Sequence, residues 1–297
     1  IAETSFDLTE KPLLRIASIK LSSSEHLFIL VTHHIIIDGL SMSILIQELT
    51  AFYEDFLNEK FPSLEKLLVQ YVDYASWEQK WINDDFLRSH IRYWKNKLEG
   101  VPQLLNLPTD RPRANVNSFK GKTRRFAIDH ELSNKIKRLS QNSGTTLFMT
   151  LLSVYSVLLF RYSLQSDFCI GSAIAGRNQN QTKDIIGFFV NTIILRINVS
   201  EKFCFLDFLA LVKKTTLEAY EHSIVPFEKL MDVLKPERNL SYAPLFQTWF
   251  ALENVPSNIK ILGSDTTFTP QTVQTSTTKF DLSLTIEEHR DDLIGAW

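Results

Sequence analysis

The chain is 297 residues long, with 44% hydrophobic and 22% charged residues, the mix of a globular protein and not of a disordered one. Its 32 basic and 34 acidic residues leave a net charge of −2, so no field of one sign draws it to nucleic acid or an anionic membrane, and charge marks no docking patch. Two cysteines, Cys169 and Cys204, exclude a disulfide framework beyond a single bond and a Cys-x-x-Cys site, and on this cysteine usage the chain is expected to be cytoplasmic.

The first residues, Ile1-Ala-Glu-Thr-Ser-Phe-Asp7, begin without an initiator Met and have neither the basic nor the apolar stretch of a signal sequence. Glu25 to Thr32 is a short apolar run of strand length, expected to be a buried strand. After Gly39 the spacing turns helical: Leu45, Leu49, Phe52 and Phe56 fall on one face. His33 to Gly39 is thus a strand-to-helix connection. A second helical region, rich in aromatic residues, runs from about Val69 to Leu98.

Leu107-Pro-Thr-Asp-Arg-Pro-Arg113 forbids a continuing helix and marks the domain boundary. Residues 1–106 form a first domain, 107–113 a linker and 114–297 a second domain. Beyond the linker the pattern gives a strand (Lys122 to Ile128), a helix opened by Asp129, and a longer one opened by Thr145 or Thr146. The latter contains the apolar stretch Leu147 to Phe160. That stretch is shorter than the roughly 20 residues that span a bilayer and is read as a buried helix, not a membrane anchor. Strands follow near Phe168 to Ile174 and Thr192 to Val199, then a helix near Phe205 to His222, and strands near Phe246 to Leu252 and Phe280 to Glu287. The end, Asp281 to Trp297, reads as a strand, a polar turn and the start of a returning strand, and both ends are expected to be those of a fragment of a longer polypeptide. Strands and helices mix throughout, so the fold class is α/β (mixed α+β).

The sharpest local feature is His33-His34-Ile35-Ile36-Ile37-Asp38-Gly39. It lies where a rigid scaffold often presents catalytic groups, and histidine exchanges protons near neutral pH. Adjacent histidines in a turn can also do no more than satisfy backbone groups. Against that use, a carboxylate beside apolar residues needs a fixed cationic partner. Zinc is disfavoured because neighbouring side chains diverge and the other histidines (His26, His90, His130, His222, His289) show no ligand spacing. Gly121-Lys122-Thr123 ends like a P-loop, but the earlier glycine is replaced by Val116. No Gly-x-Ser-x-Gly elbow occurs, and Cys169 sits inside an apolar strand, which disfavours a covalent nucleophile.

Thr32-His-His-Ile-Ile-Ile-Asp-Gly-Leu-Ser41 resembles the active-site motif of condensation domains of nonribosomal peptide synthetases. Tyr71-Val-Asp-Tyr-Ala-Ser-Trp77 is similar to the next block of that family, and Arg92-Tyr-Trp94 with Leu107 to Arg113 to the stretch after it. Ile186-Gly-Phe-Phe-Val-Asn-Thr192 with Arg196, His222-Ser-Ile-Val-Pro-Phe-Glu228 and Arg238-Asn-Leu-Ser-Tyr-Ala-Pro-Leu245 resemble the later blocks, in the order of the family. The resemblance implies two chloramphenicol-acetyltransferase-like lobes in a V-shaped pseudodimer with the site at a central tunnel. The first lobe is incomplete, since two blocks before the histidine motif are missing, and the second lacks its C-terminal end.

The resemblance further implies an acyltransferase that joins a donor aminoacyl or peptidyl thioester to the amine of an acceptor aminoacyl thioester. No cofactor is bound directly. Phosphopantetheine thioesters are presented by upstream and downstream peptidyl carrier domains, and an adenylation domain is adjacent in the same polypeptide. No nucleic acid, membrane or metal takes part. His34 would accept a proton or orient the amine, with His33 either catalytic or structural. Asp38 would shape the loop through an arginine, Arg177 in preference to Arg196. Gly39 allows close backbone approach, and its N–H can stabilise an oxyanion. Asn191 and Ser41 support the site or serve packing and capping, while Trp77, Phe188, Phe189, Pro226 and Phe227 are expected to be core or interface residues. The alternatives are an epimerisation domain or a coenzyme A-dependent acyltransferase of the same superfamily, and a non-catalytic carrier-docking module.

Overall fold

The computed structural model describes residues 4–10, 12–61, 64–81, 86–177, 179–253, 259–260, 266–269, 271, 276–289 and 292–297. The chain divides into two compact units. One comprises Ile1–Lys80, Ala175–Val190 and Lys260–Thr267; the other comprises Trp81–Ile174, Asn191–Ile259 and Phe268–Trp297.

In the first unit, β1 (Leu14–Lys20) and β2 (His26–Thr32) pair antiparallel, from Leu14 opposite Thr32 to Lys20 opposite His26. β2 is half-buried, not buried as its apolar run suggested, because β1 is its sole strand partner among the described residues. A single 3-10 turn over His34–Ile36 leads into α1 (Gly39–Leu57). Only Ser41 and Thr50 of α1 are buried, and Phe56 is 80% exposed. The stripe Leu45, Leu49, Phe52, Phe56 therefore marks the helix correctly but is not its buried face. α1 is apolar over most of its surface, and periodicity alone does not select the side that packs. α2 (Tyr71–Trp81) follows.

The second unit contains a mixed six-stranded sheet. It is built from α3 (Phe86–Leu98), β3 (Arg125–Ile128), α4 (His130–Asn142), α5 (Leu147–Ser163), β4 (Asp167–Ile174), β5 (Asn191–Asn198), α6 (Phe205–Glu221), α7 (Phe227–Leu234) and β6 (Thr248–Glu253). After the short strands β7 (Ile259–Lys260) and β8 (Thr267–Phe268), β9 (Leu282–His289) and β10 (Asp292–Ala296) complete it. The strand order is β3-β10-β9-β6-β4-β5. β6 runs parallel to β4 and β9, while β4–β5, β9–β10 and β3–β10 are antiparallel. Helices start where the sequence supplies caps: Asp129 accepts from Leu132 N–H at 2.8 Å and Thr146 from Met149 N–H at 3.2 Å. α5 buries Leu152, Tyr155 and Leu159 against Phe168 and Ile170 of β4, Ile193 to Leu195 of β5 and Phe250 of β6. Consecutive burial along β5 means that both its faces are covered.

Three features depart from the sequence reading. The aromatic helical region is two helices, α2 and α3, and positions 82–85 between them lie outside the described residues, as do 290 and 291 of the polar turn near the end. β1 and α7 are present where the pattern alone named no element. Residues 81–106 group with the second unit, not with 1–80. The physical cause is burial: Trp94, Leu98, Val101 and Leu105 belong to the core that contains α5 and the sheet. The Gln247 amide seals this arrangement, donating to the carbonyls of Gln103 and Ala243 and accepting from Leu105 N–H. The expected linker ends at Arg113, which is paired with Asp281 in the same unit.

No single helix among the described residues is long and apolar enough to cross a membrane. α4 and α5 reach that length only as a pair bent by 108°, and α5 is largely buried. Both cysteines are free thiols, Cys169 buried and Cys204 exposed. Burial pushes the Cys169 thiol up to about 12, so it has no thiolate character near neutral pH.

Candidate active site

The histidine motif folds as a sequence of caps. His33 extends the β1–β2 ladder by donating its N–H to Leu13 O at 3.0 Å. Its Nδ1 accepts from Ile35 N–H at 3.1 Å and so caps the 3-10 turn. That ring nitrogen is engaged with the backbone, which gives His33 a structural use. Ile37 is buried and extended. Asp38 then caps α1, accepting from Ser41 N–H at 2.7 Å.

His34 is exposed, and its Nδ1 lies 2.7 Å from Ile37 O. A carbonyl can only accept, which assigns the ring proton to Nδ1. In the neutral imidazole the basic lone pair then belongs to Nε2, which has no hydrogen-bond partner among the described residues. This is the tautomer that a proton acceptor needs. Asp38 makes no hydrogen bond to either histidine among the described residues, so a His–Asp relay is not built here.

Asp38 instead organises the loop. Its Oδ2 accepts from Phe189 N–H at 3.0 Å, and its Oδ1 pairs with Arg177 Nη2 at 3.3 Å. The two side chains are only 3% and 6% exposed. Arg177 Nη2 also donates to Ser41 Oγ at 2.6 Å, Nη1 donates to the carbonyls of Thr182 and Ile185, and the guanidinium lies 4.1 Å from the centre of the Phe189 ring. Arg196, the other sequence candidate, is engaged elsewhere: it forks onto Asp167 and donates to the carbonyls of Lys97 and Glu99. Burial pushes the Asp38 carboxyl up. The N–H and side chain of Ser41, the N–H of Phe189 and the charge of Arg177 together outweigh that and hold it below its ordinary range.

Ser41 is fully buried and supports the loop rather than facing solvent. Its hydroxyl donates to Gly187 O at 2.7 Å and accepts from Gly187 N–H at 3.0 Å, while Asp38 N–H donates to the same Gly187 carbonyl at 3.1 Å. Composition and spacing gave no sign that Gly187 and Phe189 serve as backbone partners of the motif, because backbone pairing leaves little trace in side-chain type. The signal that could have found them is glycine itself. A Cβ at Gly187 would lie 2.1 Å from the Tyr71 ring, and one at Gly176, where φ is +66°, would lie 1.9 Å from Phe189 O. Asn191, in the second unit, is fully engaged with backbone. Its amide donates to Ser223 O and Val225 O, both at 2.8 Å, and its carbonyl oxygen accepts from Phe227 N–H at 3.0 Å, fixing the turn into α7.

Gly39 is the first residue of α1 and is exposed. A Cβ there would meet nothing within 4 Å. Neither backbone strain nor packing among the described residues explains a glycine at this position. No group of three or more His, Cys, Asp or Glu side chains suited to a metal occurs among the described residues.

The strand–turn–helix thus presents one imidazole at the surface, with the aspartate of the same motif buried on an arginine. The condensation domain family matches residues 1–294, and the chain belongs to that family. It is 44% identical over 300 residues to a component of the linear gramicidin synthase of Brevibacillus parabrevis, and 41% identical over 292 residues to tyrocidine synthase 3 of the same organism. These alignments cover 100% and 97% of this chain but only 6% and 4% of those proteins. Among solved structures it is similar to the X-domain from teicoplanin biosynthesis, with a TM-score of 0.88 and 26% identity over 99% of this chain and 68% of that one. It shares its fold with a four-domain nonribosomal peptide synthetase bound to AMP and glycine (TM-score 0.87, 24% identity, 98% of this chain and 23% of that one).

Proposed function

We propose that the chain is the amide-forming part of a nonribosomal peptide synthetase. The acceptor amine attacks the carbonyl carbon of the donor thioester and forms the C–N bond of a tetrahedral intermediate; as this collapses the C–S bond breaks, and the amine proton passes to Nε2 of His34 and on to the departing thiolate. The observation that carries this reading is the bond from His34 Nδ1–H to Ile37 O, which leaves Nε2 as the base. A thioester is already activated, so the reaction calls for no nucleotide and no metal. An α-amine with a pKa of about 8 is partly neutral near pH 7 and needs a proton acceptor chiefly as the intermediate collapses. The partners are carrier domains on the donor and acceptor sides, which supply phosphopantetheine arms, together with an adenylation domain in the same polypeptide. The free thiols Cys169 and Cys204 suit work in the cytoplasm.

The test is a single turnover of the full-length protein with loaded donor and acceptor carriers, read by intact-protein mass spectrometry. A dipeptide on the acceptor carrier supports the reading. Inversion of a residue without transfer would instead establish epimerisation. A docking role without chemistry has one observation in its favour: the teicoplanin X-domain has been solved in complex with OxyB, at 27% identity to this chain and a TM-score of 0.86. Carrier binding with no product of either kind would establish that role.

Gly39 supplies a separate check. The open space around it is read as room for a substrate arm, with its N–H at the start of α1 directed at the developing oxyanion. Gly39→Ala is expected to fold with unchanged or slightly raised thermal stability, since a Cβ there meets nothing within 4 Å and the first residue of a helix gains only part of the roughly 1 kcal/mol by which alanine exceeds glycine in a helix interior. The same variant keeps the N–H but places a methyl group in that space, and by displacing the arm should lose roughly tenfold in turnover. Wild-type turnover in Gly39→Ala would remove the glycine from the site.

A further inference from the structure

We propose that Phe188 and Tyr71 are positioning residues for the imidazole of His34, an inference that rests on the reading of His34 as the proton acceptor. His34 is exposed and is tied by the one bond from Nδ1 to Ile37 O. A single bond leaves the ring free to swing about the line joining donor and acceptor, which would sweep Nε2 across the surface on the fast timescale of exposed side chains. The second restraint is the Phe188 ring, which meets the imidazole at 5.3 Å and 85°, the edge-to-face geometry that aromatic pairs favour.

That restraint is useful only if Phe188 is itself fixed. Its carbonyl accepts from the Tyr71 hydroxyl at 2.8 Å. On either side, Gly187 is held through both its N–H and its carbonyl by Ser41 and Asp38, and Phe189 N–H is held by Asp38. Three consecutive residues thus have their backbone pinned to the same loop that presents His34. Tyr71 touches all three: its ring occupies the space a side chain at 187 would need, and it meets Phe189 edge-on at 5.2 Å. Burial raises the Tyr71 hydroxyl above its ordinary range, so it remains a donor at neutral pH. Phe188 is itself only half-buried. Its geometry is directed at the imidazole, and a misplaced base loses rate without loss of substrate affinity.

The experiment compares wild type, His34→Ala, Phe188→Leu, Phe188→Tyr and Tyr71→Phe in the full-length protein, with turnover and half-saturating acceptor-carrier concentration measured separately and thermal melts recorded for each. Phe188→Leu keeps the apolar volume and removes the ring, and is expected to lower kcat about tenfold with KM within about twofold. Phe188→Tyr restores the edge and should recover most of that loss. Tyr71→Phe, which keeps the ring against Gly187 and removes only the hydroxyl, should lower kcat about threefold, again without moving KM. Wild-type kcat in both Phe188→Leu and Tyr71→Phe, beside an inactive His34→Ala, overturns the positioning role alone. A loss that appears in KM, or one that Phe188→Tyr does not recover, also overturns it. An active His34→Ala removes the proton-acceptor reading, and the positioning role with it.

Discussion

His34→Ala is expected to form the amide roughly 10²–10⁴ times more slowly than wild type, the range in which general acid–base groups contribute. The fold should tolerate the change. His34 is exposed, and it surrenders one hydrogen bond to Ile37 O and one edge-to-face contact with Phe188, so stability should fall by no more than about 2–3 kcal/mol. Activity and stability therefore separate at this position, which makes it the sharpest test of the chemistry. The His33 ring caps the turn from the neighbouring position, and His33→Asn, which keeps a side-chain acceptor, serves as the internal comparison. It should retain far more activity than His34→Ala. Single-turnover rates for the two variants, each with a melting curve, check the pair.

Arg177→Ala is expected to produce the largest loss of stability. The substitution strips Asp38 Oδ1 and Ser41 Oγ of a shared donor and leaves the carbonyls of Thr182 and Ile185 without their guanidinium partner. Removing one member of a buried ion pair costs about 3–5 kcal/mol, because the other charge is left uncompensated. Arg177→Lys should recover only part of this, since one ammonium cannot reach four acceptors in the geometry of a planar fork. With two compact units in the chain a single global transition is not assured, so the relevant quantity is the urea midpoint of the transition that reports on Tyr71 and Tyr74. Asp38→Asn retains a capping oxygen for Ser41 N–H and removes the charge. Combined with Arg177→Ala in a double-mutant cycle, it should recover part of the loss.

The same pair sets a pH dependence whose sign follows from the direction of the Asp38 shift. The folded carboxyl lies below its ordinary range. Its contribution is therefore complete above about pH 4–5 and disappears as pH falls through the depressed folded value. The wild-type protein should resist acid into the range where an unperturbed carboxylate is already protonated. Arg177→Ala, which removes a favourable charge, should shift the acid transition of this unit upward. Urea midpoints at pH 7 and pH 4 check both statements.

How far the sequence reaches can be judged at particular residues. The order β2, turn, α1 was legible because the apolar period changes at Gly39, and Asp129 and the pair Thr145/Thr146 announced their helices by cap chemistry, the structure placing the second cap at Thr146. Local chemistry wrote these features, so local reading found them. Long-range packing did not show itself. The exposed side of α1, the attachment of residues 81–106 to the second unit and the use of Gly187 as a double hydrogen-bond partner each depend on what arrives from elsewhere in the chain. The arginine that pairs with Asp38 lies 139 positions away. Two arginines were open as its partner, and only the positions of Asp167 and of the carbonyls of Lys97 and Glu99 explain why Arg196 is unavailable.

The segment Ala175–Val190 lies in sequence between the antiparallel partners β4 and β5, yet it belongs to the unit that contains the histidine motif. Arg177, Gly187 and Phe189 all come from it. This imposes a rule on anyone recombining synthetases. A graft that carries the histidine motif into a foreign condensation domain, with crossovers placed only around residues 1–80, would pair Asp38 and Ser41 with a stranger's loop. The motif and its loop form one heritable cassette written in two places, and a working chimaera must transplant both together.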